Sequence, residues 1–114
     1  MKKINAVTCF SLKGWRETGG LLVNGFIKYW PEETNLTVYV DDPIPKKDLI
    51  RNPRVKYEIL NHKDLLDFKN RHRNNPEANG GGKYITKGKN NYKYDAVRFS
   101  HKVFALFQFL ETND

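Results

Sequence analysis

GLLVNGFIKYWPEETNLTVYVDD, Gly20 to Asp42, decides the fold, because its hydrophobic period changes once along its length. Leu22, Val23, Phe26, Ile27 and Trp30 recur at three- and four-residue spacing and form one apolar helix face. Gly25 weakens that helix by about 1 kcal/mol, and Pro31 ends it. From Asn35 the period becomes two. Leu36, Val38 and Val40 alternate with Thr37 and Tyr39, and the β-branched content predicts a strand. Asp41 and Asp42 terminate it, and Pro43 and Pro45 close it.

Working outward, Ile4–Phe10 (INAVTCF) is short, apolar and bounded by polar residues, as a buried strand is. The following SLKGWRETGG reads as a loop through its glycines. Downstream, RVKYEIL alternates Val55, Tyr57 and Ile59, which predicts a third, half-buried strand. A short helix from about Lys63 to Arg73 turns Leu65, Leu66 and Phe68 inward. In Asn74–Lys93, thirteen of twenty residues are Asn, Gly or Lys, so a long flexible loop is expected. A last helix starts near Tyr94. Strands alternating with helices predict an α/β fold, a Rossmann-like partial parallel sheet of about three strands with three helices and right-handed crossovers.

The 114 residues are one domain's worth, 1–114, and 39% hydrophobic content is that of a globular chain. The net charge of +7 favours anionic partners. Residues 1–57 carry ten Lys/Arg against six Asp/Glu, and residues 58–114 ten against seven, so the excess forms no basic arm. Cys9 is the single cysteine, which excludes an intrachain disulfide and a cysteine-built zinc site. His62, His72 and His101 lack metal-ligand spacing. The glycines match neither G-x-G-x-x-G nor a G-K-[ST] loop. Asn5 and Thr8 interrupt the apolar run after Lys2 and Lys3, so no signal peptide is read there. No stretch approaches the roughly 18 apolar residues of a membrane span, and a cytoplasmic protein is expected.

In the last helix, Ala96, Val97, Ser100, Val103, Phe104, Phe107 and Leu110 share one face, which is expected to lie against the sheet. Asp95, Arg98 and Lys102 lie opposite, and beyond them that side becomes apolar with Leu106 and Phe109. The charged strip reads either as a solvated face with one helical ion pair or as a phosphate clamp. The apolar end, Leu106, Phe109 and Leu110, expects cover from a protein partner or a second copy.

NAVTCF, FIKYWPEETNLTVYVDD, FKNRHRNNP and above all YDAVRFSHKVFAL together resemble the N-terminal half of small bacterial and phage glycosyltransferases. These are GT-A-type nucleotide-diphospho-sugar transferases. The resemblance implies half of a GT-A-like domain with a nucleotide over the carboxyl ends of the first strands. It implies Thr8, Cys9 and Phe10 in the base and ribose pocket, and Asp41 or Asp42 accepting from ribose or base. Arg98 and Lys102 would face the diphosphate, with Asp95 orienting Arg98. The plainer readings are strand core for Thr8–Phe10 and a polar strand terminus before Pro43 for the aspartates. The family's metal-binding Asp-x-Asp belongs to a strand after the last helix, so Mn or Mg is expected only where that strand is supplied. The chain is therefore expected to bind a nucleotide-sugar without catalysing transfer alone. The competing reading is a small basic binding protein. In it the Lys-rich stretch with Tyr84, Tyr92 and Tyr94 contacts nucleic acid, or the last helix docks on a host protein.

Overall fold

In a computed structural model the chain forms two compact units, Met1–Leu60 and Asn61–Asp114. The structure describes residues 3–79, 85–86, 89–90 and 96–112, with the backbone alone at 77, 85–86, 89–90 and 96–99. The first unit holds β1 (Ile4–Phe10), α1 (Leu12–Gly14), a π-helical turn (Trp15–Gly19), α2 (Gly20–Tyr29), β2 (Thr34–Val40), a 3-10 turn (Lys46–Asp48) and β3 (Val55–Ile59). The second holds α3 (Lys63–His72), the single turn α4 (Pro76–Asn79), β4 (Ile85–Thr86), β5 (Lys89–Asn90) and α5 (Ala96–Thr112). The fold is α/β, Rossmann-like, with a three-stranded parallel sheet and three main helices, α2, α3 and α5. No helix among the described residues is long and apolar enough to cross a membrane.

The sheet order is β1-β2-β3, with Phe10 opposite Val40 and Val40 opposite Ile59. Expectation and structure differ over which strand is buried. β1 flanks the sheet and has no fully buried residue, whereas every residue of β2 except Asn35 is buried. β2 has a neighbour on each side, so both its backbone edges are paired. Leu36, Val38 and Val40 join Trp15, Val23, Phe26 and Ile44 in the core, and Ala6, Phe10, Val55 and Tyr57 pack against it.

The glycine-rich stretch after β1 is helical and not the expected loop. Ser11 Oγ accepts from the Gly14 N–H at 3.0 Å, and Asp41 Oδ1 accepts from the Leu12 N–H at 3.1 Å, so the first turn is capped twice. Trp15 is 3% exposed, with Phe10 edge-on at 6.1 Å and Tyr57 at 5.5 Å. A Cβ at Gly19 would run into the six-membered ring of this indole. The glycine is therefore present for close approach, and the helix continues through it with the Gly20 N–H donating to Trp15 O.

Arg54 holds the turn between α2 and β2. Its Nε donates to Thr34 O at 3.0 Å, and its Nη2 donates to Pro31 O at 2.7 Å and Trp30 O at 3.2 Å. The guanidinium also lies 4.7 Å from the centre of the Phe26 ring. A planar, multidentate cation suits three carbonyls and an aromatic face at once, which a lysine does not.

In the second unit α5 packs against α3 and α4, with Leu65 and Ala105 buried and Phe104 6.5 Å from Phe68. His62 caps α3: its Nδ1 accepts from the Asp64 N–H, and its Nε2 lies 3.1 Å from Glu111 Oε1. Because Nδ1 accepts, the ring proton sits on Nε2 and is donated to the carboxylate. Gln108 Oε1 accepts from the Asn61 N–H at 3.0 Å. These bonds turn residues 101, 104, 105, 108 and 109 of α5 inward. Val103 and Phe107, expected to be buried, are 51% and 48% exposed; Leu110, expected both on that face and in the apolar end that needs cover, is 53% exposed, and Phe109, expected to need cover, is half-buried. Leu106 is 48% exposed, as the pattern implied.

The Asn/Gly/Lys-rich segment, expected as a loop, carries the α4 turn and an antiparallel pair in which Ile85 faces Asn90 and Thr86 faces Lys89. Pro76 starts α4, and Asn79 Nδ2 closes it by donating to His72 O and Asn75 O. The Lys-rich stretch with Tyr84, Tyr92 and Tyr94 lies otherwise outside the described residues.

Replacing Trp15 by Ala is expected to cost about 3–5 kcal/mol, read as a lowered urea midpoint. Tyr57 gives a pH signature. Its hydroxyl donates to Ile50 O at 2.8 Å, and burial raises the phenol above its ordinary 10.0. The folded state then keeps a proton that the unfolded chain has released. The contribution is complete below pH 10.0 and is lost as pH rises through the higher folded value. Tyr57→Phe should cost about 1 kcal/mol at neutral pH and show a shallower loss of stability above pH 10.0 in urea unfolding.

Candidate functional site

Three parallel strands that start together also end together, so the turns after β1, β2 and β3 meet along one carboxyl edge. The register brings Phe10, Val40 and Ile59 level there, and the Leu60 N–H donates to Val40 O at 2.8 Å. Of the predicted site residues, Thr8, Cys9, Phe10, Asp41 and Asp42 belong to this edge. Alternation along β1 puts Thr8 and Phe10 on the core face and Cys9 on the other, all three half-buried. Phe10 acts as core, because its ring packs on Trp15. Cys9 forms no disulfide.

The two aspartates, equivalent in the sequence, separate in the structure. Asp41 is half-buried and caps the helix that follows β1 through the Leu12 N–H. It places a carboxylate at the positive end of a helix, where a ligand anion would otherwise be stabilised. Asp42 is exposed, and its carboxylate has no partner among the described residues. The edge therefore presents acceptor oxygens to hydroxyl or N–H donors and does not present a preformed phosphate cradle. The nearby cations are engaged only at the surface: Lys13 lies 3.9 Å from Glu17 and Arg16 4.0 Å from Asp48. Exposed pairs of this kind contribute at most about 1 kcal/mol.

The remaining predicted residues belong to the second unit. Lys102 is exposed on α5, Arg98 is described by its backbone alone, and Asp95 lies outside the described residues. Among the described residues no three His, Cys, Asp or Glu side chains converge as a metal site. Two open cavities line neither group. One, of about 400 Å³, sits at the start of β3 against Leu49, Arg51, Asn52, Pro53, Val55 and Tyr57. The other, of about 520 Å³, lies in the second unit.

Ser11, Trp15 and Gly19 were legible as a helix start had the glycines been discounted. Leu12, Trp15, Gly19, Val23 and Phe26 continue the helical period without a break. His62 caps α3 through the Asp64 N–H two residues on, but no local pattern marks its link to Glu111, which is 49 residues away.

Comparison of the chain with family models, with curated proteins and with solved structures finds no match.

The division of labour between the aspartates has a direct check. Asp41→Ala should cost about 0.5–2 kcal/mol, the usual loss of a helix cap. Asp42→Ala should stay within about 0.5 kcal/mol of the parent in thermal unfolding.

Proposed function

We propose that the carboxyl edge of the sheet binds the nucleoside part of a nucleotide-diphospho-sugar. Read from β3, the strand order is 3-2-1, the order with which doubly wound nucleotide-binding sheets begin. In open parallel sheets, ligands sit outside the carboxyl ends of the strands. One observation carries the reading: an exposed, unpartnered carboxylate, Asp42, stands directly after the central strand at that edge. A carboxylate there accepts from the hydroxyls of a ribose or an N–H of a base. Thr8 and Cys9 line the adjoining strand end, and Asp41 sets the loop that carries Asp42. The resemblance to GT-A transferases supports the same assignment. The reading covers binding alone, and no residue of the chain is assigned to sugar transfer.

Calorimetric titration with UDP, GDP and their sugars, with and without Mn²⁺, tests it. Saturable binding of one nucleotide is expected, unchanged by Mn²⁺ and weakened about tenfold or more in Asp42→Ala, the loss of one hydrogen bond to a charged group. Absence of saturable binding to every nucleotide overturns the reading. Binding that collapses steeply with added salt would also overturn it and would indicate contact with a phosphate backbone instead.

A further inference from the structure

His62 holds two elements of the second unit with the two nitrogens of one ring. It is 9% exposed and stands between the start of α3 and the last turns of α5. Nδ1 accepts from the Asp64 N–H at 3.1 Å and so caps α3, while Nε2 donates to Glu111 Oε1 at 3.1 Å. The Phe104 ring packs against the imidazole, with 5.4 Å between ring centres.

Both bonds together require the neutral ring with its proton on Nε2. Imidazole is the side chain whose charge ordinarily changes between about pH 5 and 8. A second proton can enter only at Nδ1, because Nε2 already carries one. That proton points at the Asp64 N–H, so donor meets donor and the cap of α3 is lost. The new cation also stands at the positive end of the ten-residue α3. The other bond responds in the opposite sense. Nε2–H becomes the donor of a charged ring facing a carboxylate, a stronger class of hydrogen bond. One proton thus removes a bond to α3 and reinforces a bond to α5.

Few other ionisable groups surround the ring among the described residues. α5 brings Glu111, and it carries His101 on its inward side three residues before Phe104. α3 brings Lys63 and Asp64, both exposed. Carboxyl groups ordinarily titrate near roughly pH 4 and lysine near roughly pH 10, outside the range of the imidazole.

We infer that His62 is a proton-operated coupler of the two helices, in which gain of a proton releases the first turn of α3 while the ring stays bound to Glu111 of α5. The inference is independent of nucleotide binding at the sheet edge.

NMR of the ¹⁵N-labelled full chain, followed from about pH 8 to about pH 5, tests it. At the upper end the ring ¹⁵N shifts should place the proton on Nε2. As the ring gains its second proton, the Asp64 amide resonance should move with the same midpoint. Its protection against hydrogen exchange should fall about tenfold, the equilibrium weight of a lost helix cap. The amides of Gln108 and Glu111 should keep their protection. His62→Asn keeps a capping acceptor that does not titrate in this range, so the Asp64 response should vanish. His101→Gln should leave the response in place. The inference is overturned if Nδ1 carries the ring proton at the upper end, if the Asp64 amide is indifferent to the ring's titration, or if α5 loses protection together with α3. A response that persists in His62→Asn, or disappears in a folded His101→Gln, belongs to another group and overturns it as well. Ring shifts and exchange are read on the unaltered chain, so they decide the matter even where a variant fails to fold.

Discussion

The indole of Trp15 is the contact on which the first unit depends. It lies between Phe10 at the end of β1 and Tyr57 of β3, two flanking strands that never pair with each other. A residue on the crossover helix thereby ties both flanks of the sheet to one helix. The indole needs space on the helix side, and Gly19 supplies it by having no Cβ. The π-helical turn is the backbone's accommodation of that packing, one residue wider than an α-turn between Trp15 and Gly20. Phe10 consequently packs on the indole and is half-buried at the end of β1.

Around this contact, long-range side chains satisfy backbone groups that the turns leave unpaired. Asp41 takes the Leu12 N–H from 29 residues away, and Arg54 takes three carbonyls at the end of α2 and the start of β2. Each is a charged group bonded to backbone, a stronger class of hydrogen bond than a neutral pair. This accounting bears on function. The Asp41 carboxylate has one oxygen engaged in capping the first helix, whereas its neighbour Asp42 is exposed with no partner among the described residues.

The second unit uses the same device in a different place. The last turns of α5 reach the first turn of α3 through Gln108 and Glu111, with His62 as both cap and link. These bonds from the last turns of α5 lie on the side where Ala105 is buried, and Val103, Leu106, Phe107 and Leu110 are about half exposed. Phe104 stays at the margin between core and cavity, beside the polar side chains of α3.

Elements with a clean period were legible in the chain alone. Ile4–Phe10, the alternation from Leu36 to Val40, the alternation from Val55 to Ile59 and the helix before Pro31 all appear where their patterns place them. Period and β-branching are local, and the parallel pairing of β1 with β2 follows from the helix between them, whereas β2 and β3 pair in parallel across a connection that holds only a 3-10 turn. The candidate edge was legible to the same extent, because the end of a strand locates the aspartates that follow it. Three features were decided only by tertiary packing. Glycines at 14, 19 and 20 look like a loop, yet a buried indole and two caps make them helical. Asp41 and Asp42 are chemically identical, yet only one meets a helix start. On α5, apolar on nearly every side, hydrophobicity cannot select the inward face, and the hydrogen bonds of Gln108 and Glu111 do. For Asp41 and for α5 the deciding partner is far away in sequence, and for the glycines it is the burial of the neighbouring indole, so each is settled by a contact that exists only in the folded chain.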